Sequence, residues 1–292
     1  MIRLSVSLKS LPALLFWSSL ALCLWLPIFP SPSAAQEADG GFKDLETELS
    51  ELAPQDLEEL LVFVAGNALF TVYHEGGHML VSELELPVLA QEEDAADNLA
   101  TVSMLADDTG NTDLLLTNAM IGWFLFSEHD DDFLTFYGDH DLDRQRGYRM
   151  LCLMVGADED AFLELALDLG LPRERIESCA FDYEQVAGSW DYATEPYLRQ
   201  EDTPSGKITV AHDPPPEGLE TLAVFLKETG ILERVAGELD TLYTLPHPVT
   251  FRAASCGEAN AFWDPDKREA VFCHELLAGF AALYFESVLP DE

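Results

Sequence analysis

One stretch constrains the fold of this chain more than any other: APQDLEELLVFVAGNALFTVYHEGGHMLVSELEL, residues 53 to 86. Leu57, Leu60, Leu61, Val64, Ala68 and Val72 recur at helical spacing, and no residue from Leu60 to Tyr73 carries charge. Pro54 suits a first helical turn, Asp56, Glu58 and Glu59 match its positive end, and Pro87 is placed to stop it. The uncharged run falls short of the roughly 20 residues a bilayer span needs. A helix with no polar face must instead be enclosed by the rest of the protein. The predicted architecture is therefore built around one central buried helix.

The remaining segments read as mostly helical, with a small β element near the C-terminus. EEDAADNLATVSML predicts a second helix beginning near Gln91, DDTGNTD a loop, and LLLTNAMIGWFLF a third helix. An acidic loop precedes a helix that ends near Gly156, and DEDAFLELALDLGLP predicts another, closed by Gly170 and Pro172. From Trp190 to Gly218 the prolines predict a connector, with KITVAH as a short strand inside it. GLETLAVFLKETGIL predicts a helix, VTFRAA a strand, and AFWDPDKREAVFC a hairpin turning at Asp264–Lys267. A closing helix is expected from His274 to about Ser287. The fold class expected is α+β, mostly helical, with a small C-terminal β-hairpin element.

Residues 1 to 35 look like a signal peptide: Arg3 and Lys9, an apolar run from Leu11 to Phe29, then Ser33-Ala34-Ala35. An uncleaved anchor is the alternative, and Pro12 and Pro27 weigh against it. Residues 36 to 54 form an acidic lead-in. The expected address is the periplasm or the extracellular space, with no membrane span in the mature chain. Cys152, Cys179, Cys256 and Cys273 remain after Cys23 is removed, an even set that suggests two disulfides. Three connectivities are open, and proximity favours Cys152–Cys179 with Cys256–Cys273. The formal charge is −39, and every acidic residue follows residue 35. Such a chain repels nucleic acid, so no nucleic-acid partner is expected.

His74-Glu75-Gly76-Gly77-His78 fits the H-E-x-x-H pattern. Two imidazoles four residues apart on a helix reach one ion, and a carboxylate beside the first can take a proton from water. Gly76 and Gly77 each cost about 1 kcal/mol in a helix relative to Ala, which suggests that another segment's backbone comes close there. Catalytic Zn²⁺ wants a third ligand. Glu93 and Asp97 share one face of the second helix: Glu93 is the preferred ligand, Asp97 a hydrogen-bond partner for an imidazole. Glu92, about 100° round the helix, competes with Glu93.

Asn67 lies on the same face as His74, where it is as easily satisfied elsewhere as within the site. His140, Arg146 and Tyr148 are candidate donors to a developing oxyanion, with an Arg–carboxylate pair and a core Tyr as the plainer readings. His129 reads as part of a solvated acidic loop. His274-Glu275 lacks a second ligand, since Ala278 stands in its place, so His274 is expected at the surface or beside the site.

NALFTVYHEGGHML, EEDAAD, HDLDRQRGYRMLC, SCAFDYEQVAGSW and CGEANAFWDPDKREAVFCHEL together resemble a bacterial domain-of-unknown-function family of putative zinc metallopeptidases. The E-x-x-A-D run after H-E-x-x-H also resembles gluzincins. The resemblance implies a zincin-like domain over residues 55 to 287, with the third zinc ligand at Glu93 and the following acid at Asp97. It implies an exported zinc-dependent metallopeptidase that hydrolyses peptide or protein substrates through a zinc-activated water, with Glu75 catalytic and His74, His78 and Glu93 holding Zn²⁺. Two alternatives stand beside it: a non-catalytic zincin-derived binding domain, and a zinc hydrolase of non-peptide amides.

Overall fold

The computed structural model describes residues 38–107, 110–129 and 138–289. The proposed signal peptide, with Cys23, and the acidic run Asp130–Asp132 lie outside them. The described residues form one compact unit.

The acidic lead-in is helical: α1 spans Ala38–Glu51 and buries Leu45 and Leu49. The long predicted helix is α2, Pro54–Glu83, with Pro54 in its first turn. Its buried residues face all directions, as the uncharged sequence requires: Leu60, Phe63, Val64, Ala68, Tyr73 and Leu80 are at or near zero exposure. Helices α3 (Glu92–Ala106), α4 (Gly110–His129), α9 (Ile231–Leu242) and α10 (His274–Ser287) pack around it. The helix stops three residues before the point expected from Pro87. Glu85 adopts φ 50°, and the Leu86 amide closes back onto the Val81 carbonyl at 3.0 Å. The last turn is thereby capped before the proline is reached.

Several other boundaries differ from the sequence reading. α4 begins inside the expected loop, where the Thr112 hydroxyl donates to Asp107 (3.1 Å) and Asp113 lies in the first turn. α5 (Asp143–Ala157) and α6 (Glu159–Asp168) agree with expectation; Asp158 caps α6 by accepting from the Ala161 amide. Helix α7, Arg173–Thr194, is an addition, and Trp190 belongs to it rather than to a connector. It packs along α5 and is bound to it by the Cys152–Cys179 disulfide. The helix expected from Gly218 is two, α8 (Glu220–Thr229) and α9. Gly230 separates them at φ 66°, a left-handed geometry that a residue with a Cβ adopts only at a cost.

The β element is larger than a hairpin. β1 (Ile208–His212), β2 (Val249–Ala254), β4 (Glu269–Cys273) and β3 (Ala261–Asp264) form one sheet in the order β1-β2-β4-β3. β1, β2 and β4 run parallel, and β3 returns antiparallel on β4 as an edge strand, with Ala261 opposite Phe272 and Asp264 opposite Glu269. β3 also rests against α2. The second disulfide, Cys256–Cys273, ties the β2–β3 loop to the end of β4. No described helix is long and apolar enough to cross a membrane. The fold is α+β and mostly helical.

Candidate metal centre

The two glycines of the motif are explained by what they touch. A Cβ on Gly77 would lie 3.0 Å from the Ala96 Cα, so the bare backbone lets α3 cross α2 at this turn. A Cβ on Gly76 would lie 2.7 Å from a Leu239 methyl on α9. α2 is thus gripped on two sides within one turn. That crossing brings the first turn of α3 over the histidines.

Three donor atoms converge there. His74 Nε2 lies 3.1 Å from His78 Nε2, and Glu93 Oε2 lies 3.2 Å from the first and 3.3 Å from the second. Ligands in a tetrahedron with bonds of roughly 2.0–2.1 Å are separated by about 3.3 Å, so the triangle has the size a Zn²⁺ needs. The outer nitrogens are already engaged. His74 Nδ1 bonds Asp97 Oδ1 at 2.8 Å, and His78 Nδ1 bonds Glu92 Oε1 at 2.9 Å. With Nδ1–H donated outward, each Nε2 presents its lone pair to the centre. Glu92 thus meets the outer nitrogen of His78, while Glu93 meets both inner ones. Two imidazoles and a carboxylate are the donor chemistry of a zinc site that leaves one position open.

Asp97 is braced in turn. Arg146 Nε donates to its Oδ2 and Nη2 to its Oδ1, each at 2.7 Å, and the guanidinium carbon lies 3.6 Å above the Trp123 ring. His74, Glu75, Asp97 and Arg146 are all buried. Burial opposes ionisation of Asp97, yet His74 and Arg146 outweigh it and hold the carboxyl at about 2. Burial likewise lowers His74, but its bonds to Asp97 and Glu93 raise it to about 9. The same contest holds Glu93 far below the usual carboxylate range, through bonds from His140, His74 and His78. The carboxylates of Asp97 and Glu93 favour positive charge beside the two imidazoles.

Glu75 differs. Burial pushes its carboxyl up, offset in part by the two histidines, and its Oε2 has no hydrogen-bond partner. A buried, unpartnered carboxylate oxygen with a raised pKa is suited to accept a proton. His140 enters from the exposed segment before α5, its Nε2 2.8 Å from Glu93 Oε2. Tyr148 is not brought to this cluster. Its hydroxyl donates to the Leu169 carbonyl at 2.9 Å, and its ring packs edge-on against Phe124. Asn67 is spent on the Phe63 and Asn118 carbonyls. His274 is buried rather than exposed, and the charged groups around it are Glu275, His212 and Asp213. Its burial follows from its place at the junction of β4 and α10. Glu275 is spent on the Cys256 and Gly257 amides (3.1 and 2.9 Å).

Two cavities open beside the donors. An outer cleft of about 580 Å³ runs between Ser82, Glu92 and Glu93 on one side and Phe262, Trp263 and Pro265 on the other. The edge strand β3 therefore borders the donor cluster, a juxtaposition for which the sequence carries no local signal. An inner pocket of about 240 Å³ lies beyond Glu75, toward α4 and α10. The groove between α3 and α7, lined by Val88, Leu89 and Trp190, shares no residue with the donor cluster.

Helical packing, an H-E-x-x-H turn and a carboxylate from the next helix together form a candidate metal centre. A family profile described as "Putative metallopeptidase" matches residues 40–193 and 212–291, and the chain belongs to that family. Membership makes it a hydrolase of the metallopeptidase type, acting on peptides or proteins. No curated protein and no solved structure gives a significant match.

Proposed function

We propose that the protein is an exported, zinc-dependent metallopeptidase with His74, His78 and Glu93 as ligands and Glu75 as general base. The observation that carries this reading is the 3.1–3.3 Å triangle of His74 Nε2, His78 Nε2 and Glu93 Oε2. Bound there, Zn²⁺ supplies a Lewis acid for the scissile carbonyl and brings the pKa of a water to about 7. Glu75 Oε2 accepts the proton that the attacking water loses and returns it to the departing amine nitrogen. His140, at the mouth of the cleft with its Nε2 2.8 Å from Glu93 Oε2, serves in this reading as the donor toward the oxyanion once it turns from that carboxylate. Arg146 acts at one remove: it fixes Asp97, which fixes the His74 ring. Substrate backbone lies along β3, whose outer edge has no strand partner among the described residues.

Export is supported by the N-terminal pattern and by two disulfides, bonds that persist in oxidising compartments. In this reading residues 1–35 are removed, 36–54 form the lead-in, and 55–287 form the catalytic domain. The test is metal content and peptide cleavage for the mature wild type beside His78→Ala, Glu93→Gln and Glu75→Gln. About one zinc per chain, lost in the first two variants, with cleavage lost and zinc retained in Glu75→Gln, supports every role. Retained zinc in Glu93→Gln removes Glu93 from the ligand set. Undiminished cleavage by Glu75→Gln removes the general base.

A further inference from the structure

The inner pocket and the outer cleft meet at His74, Glu75, His140, Asn260 and Ala261, which line both. A chain lying along β3 with a carbonyl at the donor cluster therefore has one side chain's path past Glu75 into the pocket. Its walls are aromatic and continuous. Phe70 and Trp123 lie with ring centres 6.2 Å apart, Trp123 and Phe126 6.0 Å, and Phe126 and Phe280 6.3 Å, with Leu276 completing the lining.

The polar groups in the lining do not call for a charged ligand. Asn67 Nδ2 is bonded to two carbonyls, the Thr71 hydroxyl donates to the Asn67 carbonyl, Arg146 is paired with Asp97, His140 with Glu93, Asn260 Oδ1 accepts from the Ala261 amide, and Asp143 is engaged within the protein. The unpartnered oxygen of Glu75 sits at the junction, on the reacting side. Size narrows the occupant further. A cavity of about 150 Å³ with apolar walls accepts benzene, and pockets for whole drug-sized ligands start near 300 Å³. At about 240 Å³ this pocket fits one ring or one branched aliphatic side chain.

We infer that the inner pocket takes a single large apolar side chain, aromatic or leucine-sized, from the residue flanking the scissile bond, and so sets cleavage specificity. The inference rests on the peptidase reading for its substrate, but the pocket can be tested apart from it. Binding of benzamide and of acetamide to the metal-free protein is measured by calorimetry, and cut sites in a peptide library are mapped by mass spectrometry. Both are repeated in Leu276→Trp and the milder Leu276→Phe, which fill the pocket without touching the donor cluster.

Benzamide binding at least tenfold tighter than acetamide, and weakened at least tenfold in a folded Leu276 variant, is expected. So is a cleavage preference of about tenfold or more for large apolar residues at one flanking position, shifted toward Ala or Gly in the same variant. Equal binding of the two amides, or cut sites indifferent to side-chain size, overturns the inference. Selective benzamide binding with no peptide cut upholds the pocket and removes the peptidase reading.

Discussion

Gly77→Ala sets two known quantities against each other. Replacing a mid-helix glycine by alanine gains about 1 kcal/mol of helix propensity. Here the new methyl would stand 3.0 Å from the Ala96 Cα, 3.2 Å from its Cβ and 3.4 Å from a Leu99 methyl. The first of these is backbone, so α3 must retreat by a few tenths of an ångström, and overpacking of this kind costs about 1–3 kcal/mol. The net expectation is a loss of about 1 kcal/mol in a urea titration. The larger effect falls on the metal. Ala96 lies between Glu93 and Asp97 on α3, and ligand distances must hold within about 0.2 Å. Zinc affinity, measured by chelator competition, should fall by about tenfold or more. Gly76→Ala is the comparison: its methyl meets the end of the buried Leu239 side chain of α9 rather than the backbone of α3, so repacking offsets the gain in helix propensity while zinc affinity falls less than in Gly77→Ala. If Gly77→Ala proves more stable than wild type with unchanged zinc affinity, the close crossing of α2 and α3 is not what positions Glu93.

Asp97→Ala should cost about 3–5 kcal/mol, because it strands the buried Arg146 guanidinium, and calorimetric unfolding would read it. In chelator, stability should depend on pH at both ends. The Asp97 carboxyl is depressed from 3.8 to about 2, so its contribution of about 2 kcal/mol is present above pH 3.8 and fades as pH falls through 2. His74 is raised from 6.5 to about 9, so its contribution is full below 6.5 and is lost as pH rises through 9. Urea midpoints against pH should trace both flanks, and zinc should abolish the alkaline one because ligation needs the neutral ring. Replacing both members of Cys256–Cys273 by Ser should cost about 3 kcal/mol for its short loop; an unchanged melting temperature would refute the tether.

The sequence made α2, its motif and the first turn of α3 legible because their signals are local: helical spacing, capping acids and ligands one turn apart. Both disulfides were legible for the same reason, since each joins neighbouring cysteines. α7 was missed because the prolines after it drew the boundary back to Trp190, although RERIESCAFDYEQVAGSWDYAT contains no helix breaker apart from Gly188. The split of α8 from α9 hangs on one glycine. Tyr148 lies two residues after Arg146, yet their side chains diverge, one to Asp97 and the other to the Leu169 carbonyl. Nothing local in AFWD says that it borders a metal turn, because that placement depends on the order of strands in the sheet.

The parts of the centre are very unevenly spaced along the chain. His74, His78 and Glu93 come from two successive helices joined by a short loop, so gathering them closes little chain entropy. The strand that borders the cleft and the residues Leu276 and Phe280 lie far later in the chain, in β3 and α10, so bringing them beside α2 closes a much longer loop. The donor triangle is thus a local feature of the chain and the cleft wall a long-range one. If the proposed ligands hold an ion, a change in the β2–β3 loop should disturb the cleft wall while leaving the donor triangle of α2 and α3 in place.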